Sequence, residues 1–188
     1  MISSPASYRW PARAAEPPCH QAGAERYGRA DRVYQVPDVT LVDQSGRSVA
    51  LRTLLDGTTP VFLNFIFATC STVCPVLSAG FAGFQRSLDD RAARPLLVSV
   101  TIDPEHDTPE VLHAYARRFD AHDGWLFLTG ARKDVDSVME AFDVYVSNRM
   151  NHRPVTLVRA GTSERWTRIE GFMSGADYAR EYAALANH

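Results

Sequence analysis

The chain has 188 residues, 45% of them hydrophobic, with 20 basic against 22 acidic side chains and a formal net charge of -2. That length suits one domain with a substantial core, the balanced charge gives no support for a broad nucleic-acid or anionic-membrane surface, and three cysteines exclude a disulfide-dense scaffold. No apolar run reaches the roughly 18 residues of a membrane-spanning helix, so no transmembrane segment is expected, and the opening residues lack the apolar core of a secretory signal.

From Met1 to about Asp31, serines, prolines and glycines are scattered through little periodic apolar pattern, which predicts a flexible or irregular extension over 1–31 ahead of a folded domain over 32–188. Tyr8 and Trp10 are its candidate anchors. Short apolar alternations from Val33 to Val42, the turn Asp43-Gln-Ser-Gly46, and then Val49 and Leu51 predict an added hairpin or edge strands. Leu51, Leu54 and Leu55 fit a short helix ended by Asp56-Gly57.

The stretch Val61 to Cys74, VFLNFIFATCSTVC, is the centre of the pattern. It opens as a nearly continuous apolar run with frequent β-branched and aromatic residues, which predicts a strand buried on both faces. Pro75 follows Cys74 near a helix start, where a missing N–H costs nothing, and Leu77, Phe81, Phe84 and Leu88 recur at helical spacing. Strand, thiol loop and helix form the expected unit.

Beyond it, Leu96 to Ile102 reads as a second buried strand ending at Asp103-Pro104, and Thr108-Pro109 as the cap and first turn of a helix carrying Val111, Leu112, Tyr115, Ala116 and Phe119. Trp125 to Leu128 is a further strand, and about Lys133 to Phe142 a helix with Val135, Val138, Met139 and Phe142 inward. Val144 to Val146 reads as a short strand and Asn148 to Arg153 as a polar segment. Val155 to Val158 and Trp166 to Ile169 read as an antiparallel pair. Ser174 and Asp177 mark the start of a last helix. Alternating strands and helices predict an α/β sheet flanked by helices, with chemistry at the carboxyl ends of the strands.

At a helix N-terminus, exposed amides and the helix dipole favour thiolate over thiol, so Cys70 and Cys74 are candidates for redox chemistry or for holding a soft metal. Two thiolates do not close a structural zinc site, whereas Cu(I) accepts them and an added imidazole helps to hold Cu(II). His152, in the polar segment before the last hairpin, is the candidate third donor. The bland reading of each remains open: a cysteine pair without function, and a histidine that simply lies on a loop. His20, His106, His113, His122 and His188 are weaker candidates, and Cys19-His20 in the extension stays outside the main site. Asp103 and Asp107 bracket a strand-to-helix connection, where each can cap the helix, orient a basic residue or support the thiols; spacing does not choose between them. Arg153-Pro154 lies beside the expected site, where a cis bond is the alternative to the usual trans X-Pro bond.

Cys70-Ser-Thr-Val-Cys74-Pro75, Thr101-Ile-Asp-Pro-Glu-His-Asp-Thr-Pro109, Trp125-Leu-Phe-Leu-Thr-Gly130 and the late His152 together resemble the Sco/SenC family over about Tyr34 to Leu185. The resemblance implies a thioredoxin-like, copper-binding domain that assists assembly of the dinuclear copper centre of cytochrome c oxidase. Carried over, Cys70, Cys74 and His152 would be the copper ligands, for Cu(I) or Cu(II), with Asp103 or Asp107 in support. It also implies a bacterial periplasmic or mitochondrial intermembrane location with a membrane anchor, the periplasm being preferred. The implied partners are the oxidase subunit bearing that copper centre, other copper chaperones and thiol-disulfide proteins. Asn151, where the family often has an acidic residue, and Pro154 are departures. Two alternatives stand beside metal delivery: a thiol-disulfide oxidoreductase in which Cys70 and Cys74 are catalytic, and a copper or redox sensor.

Overall fold

The structure is a computed structural model that describes residues 27–88 and 94–185. Among the described residues, eight strands form one mixed sheet. In chain order they are β1 (Tyr27–Val33), β2 (Thr40–Asp43), β3 (Ser48–Ala50), β4 (Val61–Ile66), β5 (Leu96–Thr101), β6 (Trp125–Thr129), β7 (Val155–Arg159) and β8 (Arg165–Gly171). Five helices accompany them: α1 (Leu51–Leu55), α2 (Val73–Ser87), α3 (Pro109–Arg118), α4 (Arg132–Ala141) and α5 (Gly175–Leu185).

The order across the sheet is β1-β8-β7-β4-β5-β6-β2-β3. Strands β4, β5 and β6 run parallel, β7 returns antiparallel beside β4, and the β2–β3 hairpin is added antiparallel on β6. Every residue of β4 is buried, as its uninterrupted apolar run requires of a central strand covered on both faces. The carboxyl end of β4 and the start of β7 therefore lie side by side, with Asn64 paired to Thr156. That juxtaposition brings the thiol loop and the late polar segment to one rim.

Helix α2 buries Leu77, Phe81 and Phe84, the expected stripe, and packs against α5 through an aromatic group in which Phe81 and Tyr178 rings lie 4.9 Å apart. The two helices approach closely at glycines. A Cβ built on Gly80 would sit 2.4 Å from the Met173 carbonyl oxygen, and one on Gly175 would sit 2.6 Å from the Gly83 carbonyl carbon. Helix α5 begins with a reciprocal cap: the Ser174 amide donates to Asp177 Oδ2 at 2.7 Å and the Asp177 amide donates to Ser174 Oγ at 3.2 Å.

Three expectations change. The irregular extension over 1–31 lies outside the described residues as far as 26, but Tyr27 to Asp31 belong to β1, an edge strand held by main-chain pairing to β8. Residues 144–146 form no strand; Asp143 takes a left-handed φ of 55° and the Val144 amide turns back to the Met139 carbonyl at 2.9 Å, which leaves the segment without a ladder partner. Val111 is exposed rather than on the inward face of α3, whose buried residues are Leu112, Tyr115 and Ala116. Among the described residues no peptide bond is cis, Arg153-Pro154 included. Tyr8, Trp10, Cys19, His20 and His188 lie outside the described residues.

Candidate functional site

The site begins where β4 ends. After Ile66 the chain turns through Phe67 to Thr72, and α2 starts at Val73, so Cys74 is the second helical residue and Pro75 the third. First-turn amides of a helix have no partner within it. Thr72 at the N-cap supplies no side-chain bond, and the Cys74 amide donates instead to Cys70 Sγ at 3.4 Å. The sulfur of Cys74 in turn accepts from the Phe67 amide at 3.5 Å. Both cysteines are free thiols, Cys70 partly exposed and Cys74 buried.

These contacts separate the two sulfurs chemically. Partial burial pushes the Cys70 thiol up, but the amides of Cys74 and Thr72, joined by the side chains of Cys74 and Thr72, outweigh it and leave the thiol below its ordinary value. For Cys74, burial dominates, and the neighbouring Cys70 and Asp107 add to it, so its thiol is held far above the ordinary range. The more exposed sulfur is shifted toward thiolate, and burial favours the protonated form of the other.

Asp107 and Asp103 take different parts in this rim. Asp107 is fully buried and accepts from the Ala68 amide at 3.0 Å and from the Thr101 hydroxyl at 2.5 Å, which ties the thiol loop to the end of β5. Burial pushes its carboxyl up against the lowering effect of those two donors. Asp103 faces the late segment, accepting from Arg149 Nη1 at 2.5 Å and lying 3.0 Å from His106 Nδ1. Neither carboxylate caps α3, because Thr108 does so by accepting from the Val111 amide at 3.4 Å.

Residues Arg149–Asn151 form a 3-10 turn, capped at its start by Asn148 and followed by His152. The Arg149 guanidinium lies 5.8 Å from the centre of the Phe67 ring, so this turn borders the thiol loop. His152 itself points elsewhere: its Nε2 lies 2.9 Å from the Phe65 carbonyl oxygen, to which it donates, and the ring is 8% exposed. Burial lowers its pKa, so the neutral ring with the proton on Nε2 is favoured. Among the described residues no group of three or more His, Cys, Asp or Glu side chains is arranged to hold a metal ion. The fold thus gathers the two thiols and the two aspartates, while the imidazole is on a neighbouring turn with its proton engaged by β4.

Arg149 and the Ala68 amide escaped the sequence reading. Arg149 shares the polar segment with His152, but its reach to Asp103 depends on β7 lying beside β4, which no spacing reveals. Two sulfurs joined by one hydrogen-bonded turn are donors of the kind a soft monovalent metal takes, while the His152 imidazole, which follows the adjoining 3-10 turn, is engaged with the Phe65 carbonyl.

A family model described as SCO1/SenC matches residues 30–162. The chain is 34% identical over 99 residues to the SCO1 protein homolog of Bacillus subtilis strain 168, covering 52% of this chain and 50% of that protein. It is 28% identical over 123 residues to Protein SenC of Rhodobacter capsulatus, covering 65% and 54%. Relatives also include a mitochondrial protein of Saccharomyces cerevisiae. The chain spans about half the length of the curated relatives it matches. Among solved structures, a SCO1/SenC family lipoprotein from Bacillus anthracis superposes with a TM-score of 0.70 at 22% identity, over 83% of this chain and 97% of that one. Arabidopsis thaliana ScoI, solved with copper bound, superposes with a TM-score of 0.65 at 19% identity, over 79% and 95%. At such identities the likeness shows a thioredoxin-like fold. Among the described residues no helix is long and apolar enough to cross a membrane.

Proposed function

This chain belongs to the SCO1/SenC family, and we propose that it carries copper on Cys70 and Cys74, with His152 as third donor, for the dinuclear copper centre of cytochrome c oxidase. The observation that carries this reading is the unequal thiol pair at the start of α2. Cu(I) first meets the Cys70 thiolate. The Cys74 thiol then gives up its proton to water as its sulfur binds the ion, and burial that opposed a lone thiolate is offset by the cation. His152 joins after its Nε2–H leaves the Phe65 carbonyl, with Nδ1 or the re-tautomerised Nε2 as ligand.

Transfer runs in the opposite direction. A recipient cysteine or histidine displaces one donor at a time, starting from the more exposed Cys70 side, and the protons return to the freed thiols. The recipient is an oxidase subunit bearing the copper centre, other copper carriers or thiol-disulfide proteins are further partners, and the bacterial periplasm, at a membrane, is the location. The working unit is the sheet from β1 onward, with Asp107 and Asp103 supporting the two halves of the rim.

A second reading is favoured by the same asymmetry. In thiol-disulfide exchange the Cys70 thiolate attacks a substrate disulfide, one substrate sulfur leaves as thiolate, and a mixed disulfide forms. Cys74, on losing its proton, attacks Cys70 Sγ and releases the second substrate sulfur, leaving Cys70 and Cys74 oxidised and the substrate reduced. Anaerobic Cu(I) titration of the reduced protein and of C70A, C74A and H152A separates the two. Stoichiometric binding lost in each cysteine variant supports delivery; rapid disulfide turnover that ignores H152A, without stable copper binding, supports exchange.

A further inference from the structure

The rim carries a second set of soft donors that the thiol pair does not use. Beside it lies a cavity of about 760 Å³ whose lining includes Asp103, His106, Arg132, Arg149 and Met150. His106 is 61% exposed, and its Nδ1 lies 3.0 Å from Oδ1 of the buried Asp103. An ionised carboxylate only accepts, so in the neutral ring the proton is on Nδ1 and Nε2 offers its lone pair. The Arg149 Nη1 atom is also 3.5 Å from Nδ1, but its 2.5 Å bond to Asp103 Oδ2 is the shorter and better claim on that group. A carboxylate fixing the far nitrogen of an imidazole is the arrangement that prepares histidine as a metal ligand.

The same Asp103 brings the second donor. By binding Arg149 it ties the 3-10 turn to the His106 loop, and Met150 is the next residue on that turn. The Met150 amide is held by Asn148 Oδ1 at 2.9 Å, yet the residue is 70% exposed. Packing gives no account of so exposed a thioether in a polar segment, and Met150 lines the cavity.

We propose that His106 Nε2 and Met150 Sδ form an auxiliary Cu(I) site at the mouth of this cavity, through which copper reaches and leaves the thiol pair. The proposal rests on the copper-carrying reading for the identity of the ion. Thioether and imidazole are soft or borderline donors suited to Cu(I). Two protein donors leave coordination positions for a carrier, which keeps the site weak and exchangeable. The guanidinium groups nearby do not repel the ion unopposed, because Arg149 is paired with Asp103, and Arg132 with Glu105 and Asp136. Contact of Arg149 with the Phe67 ring, and of the Phe67 amide with the Cys74 sulfur, makes the two sites neighbours.

The test is anaerobic Cu(I) titration of the C70S/C74S protein, with NMR of the methionine methyl groups and histidine rings, alongside the thiolate-to-copper absorption of the unsubstituted protein. Saturable shifts of Met150 and His106 are expected, and M150L or H106Q should each weaken affinity in that background by about tenfold or more, D103N by about tenfold. If C70S/C74S does not fold, the unsubstituted protein preloaded with one equivalent is titrated with a second and read the same way. Thiolate absorption without movement of either signal overturns the auxiliary site and leaves the thiol site standing. Shifts without thiolate absorption sustain the auxiliary site and overturn the thiol reading. An affinity unchanged by M150L or H106Q overturns the proposal.

Discussion

The Cys74 amide donates to the Cys70 sulfur at 3.4 Å, so a helix N-terminus is capped by the very atom expected to react. The cap lowers the thiol value of Cys70, and burial does the reverse to Cys74. Iodoacetamide should therefore label Cys70 well before Cys74, with labelling that sets in below the ordinary thiol range of about 8.5. Peptide mapping by mass spectrometry over a pH series checks this; equal labelling of both residues would contradict the assigned asymmetry.

His152 makes stability depend on pH. Burial depresses its pKa in the folded state, so the unfolded chain binds more protons in the window just below the ordinary histidine value near 6.5. Its contribution is complete above that value and is lost as pH falls below it toward the depressed folded value. Urea unfolding of the native protein should weaken from pH 8 to pH 5 more than that of H152Q. At pH 8 the substitution itself should cost about 1 kcal/mol, the worth of the bond to the Phe65 carbonyl.

Asp107 accepts from two donors, the Ala68 amide and the Thr101 hydroxyl. Removing it as D107A leaves the buried Thr101 hydroxyl and the Ala68 amide without that acceptor and should cost about 1–3 kcal/mol in urea unfolding. D107N, which retains one carbonyl oxygen and avoids burying a charge, should cost less than D107A. A D107A protein as stable as the parent would show that the thiol loop is held from elsewhere.

The seating of α2 rests on a missing side chain. A methyl group at Gly80 would meet the Met173 carbonyl and the Tyr178 ring at 2.4 and 2.8 Å, so G80A should destabilise the protein by about 1–3 kcal/mol through overpacking. Gly57, whose added Cβ would find nothing nearer than 3.9 Å, provides the contrast, and G57A should remain within about 0.5 kcal/mol. Thermal unfolding of the pair decides, and a G80A protein that melts with the parent would mean the α2–α5 contact yields easily.

What could be read in advance depended on how each element declares itself. Strand β4 and the Leu77, Phe81 and Phe84 stripe of α2 are written as hydrophobic pattern, because burial on two faces or one leaves a period in the chain. Strand β1 leaves none: it is an edge strand whose side chains are largely exposed, and its position comes from main-chain bonds to β8. Val144 to Val146 shows the opposite error, three residues with strand-like composition and no strand beside them. At the site, the close thiols and both aspartates were visible as residue types. Their partners were not, since Asp107 meets Ala68, and Asp103 meets Arg149, only after distant strands have paired. The inward bond of His152 to Phe65 depends on the same pairing.

Because β7 lies beside β4 in space yet follows it only after α2, β5, α3, β6 and α4 in the chain, synthesis exposes the sulfurs long before the imidazole-bearing turn exists. A nascent polypeptide thus passes through a stage in which both thiols are present while the rim beside them is still unbuilt. Maturation of this protein is in that sense a race, won only if the last hairpin closes on the sheet before an oxidant or a stray ion arrives.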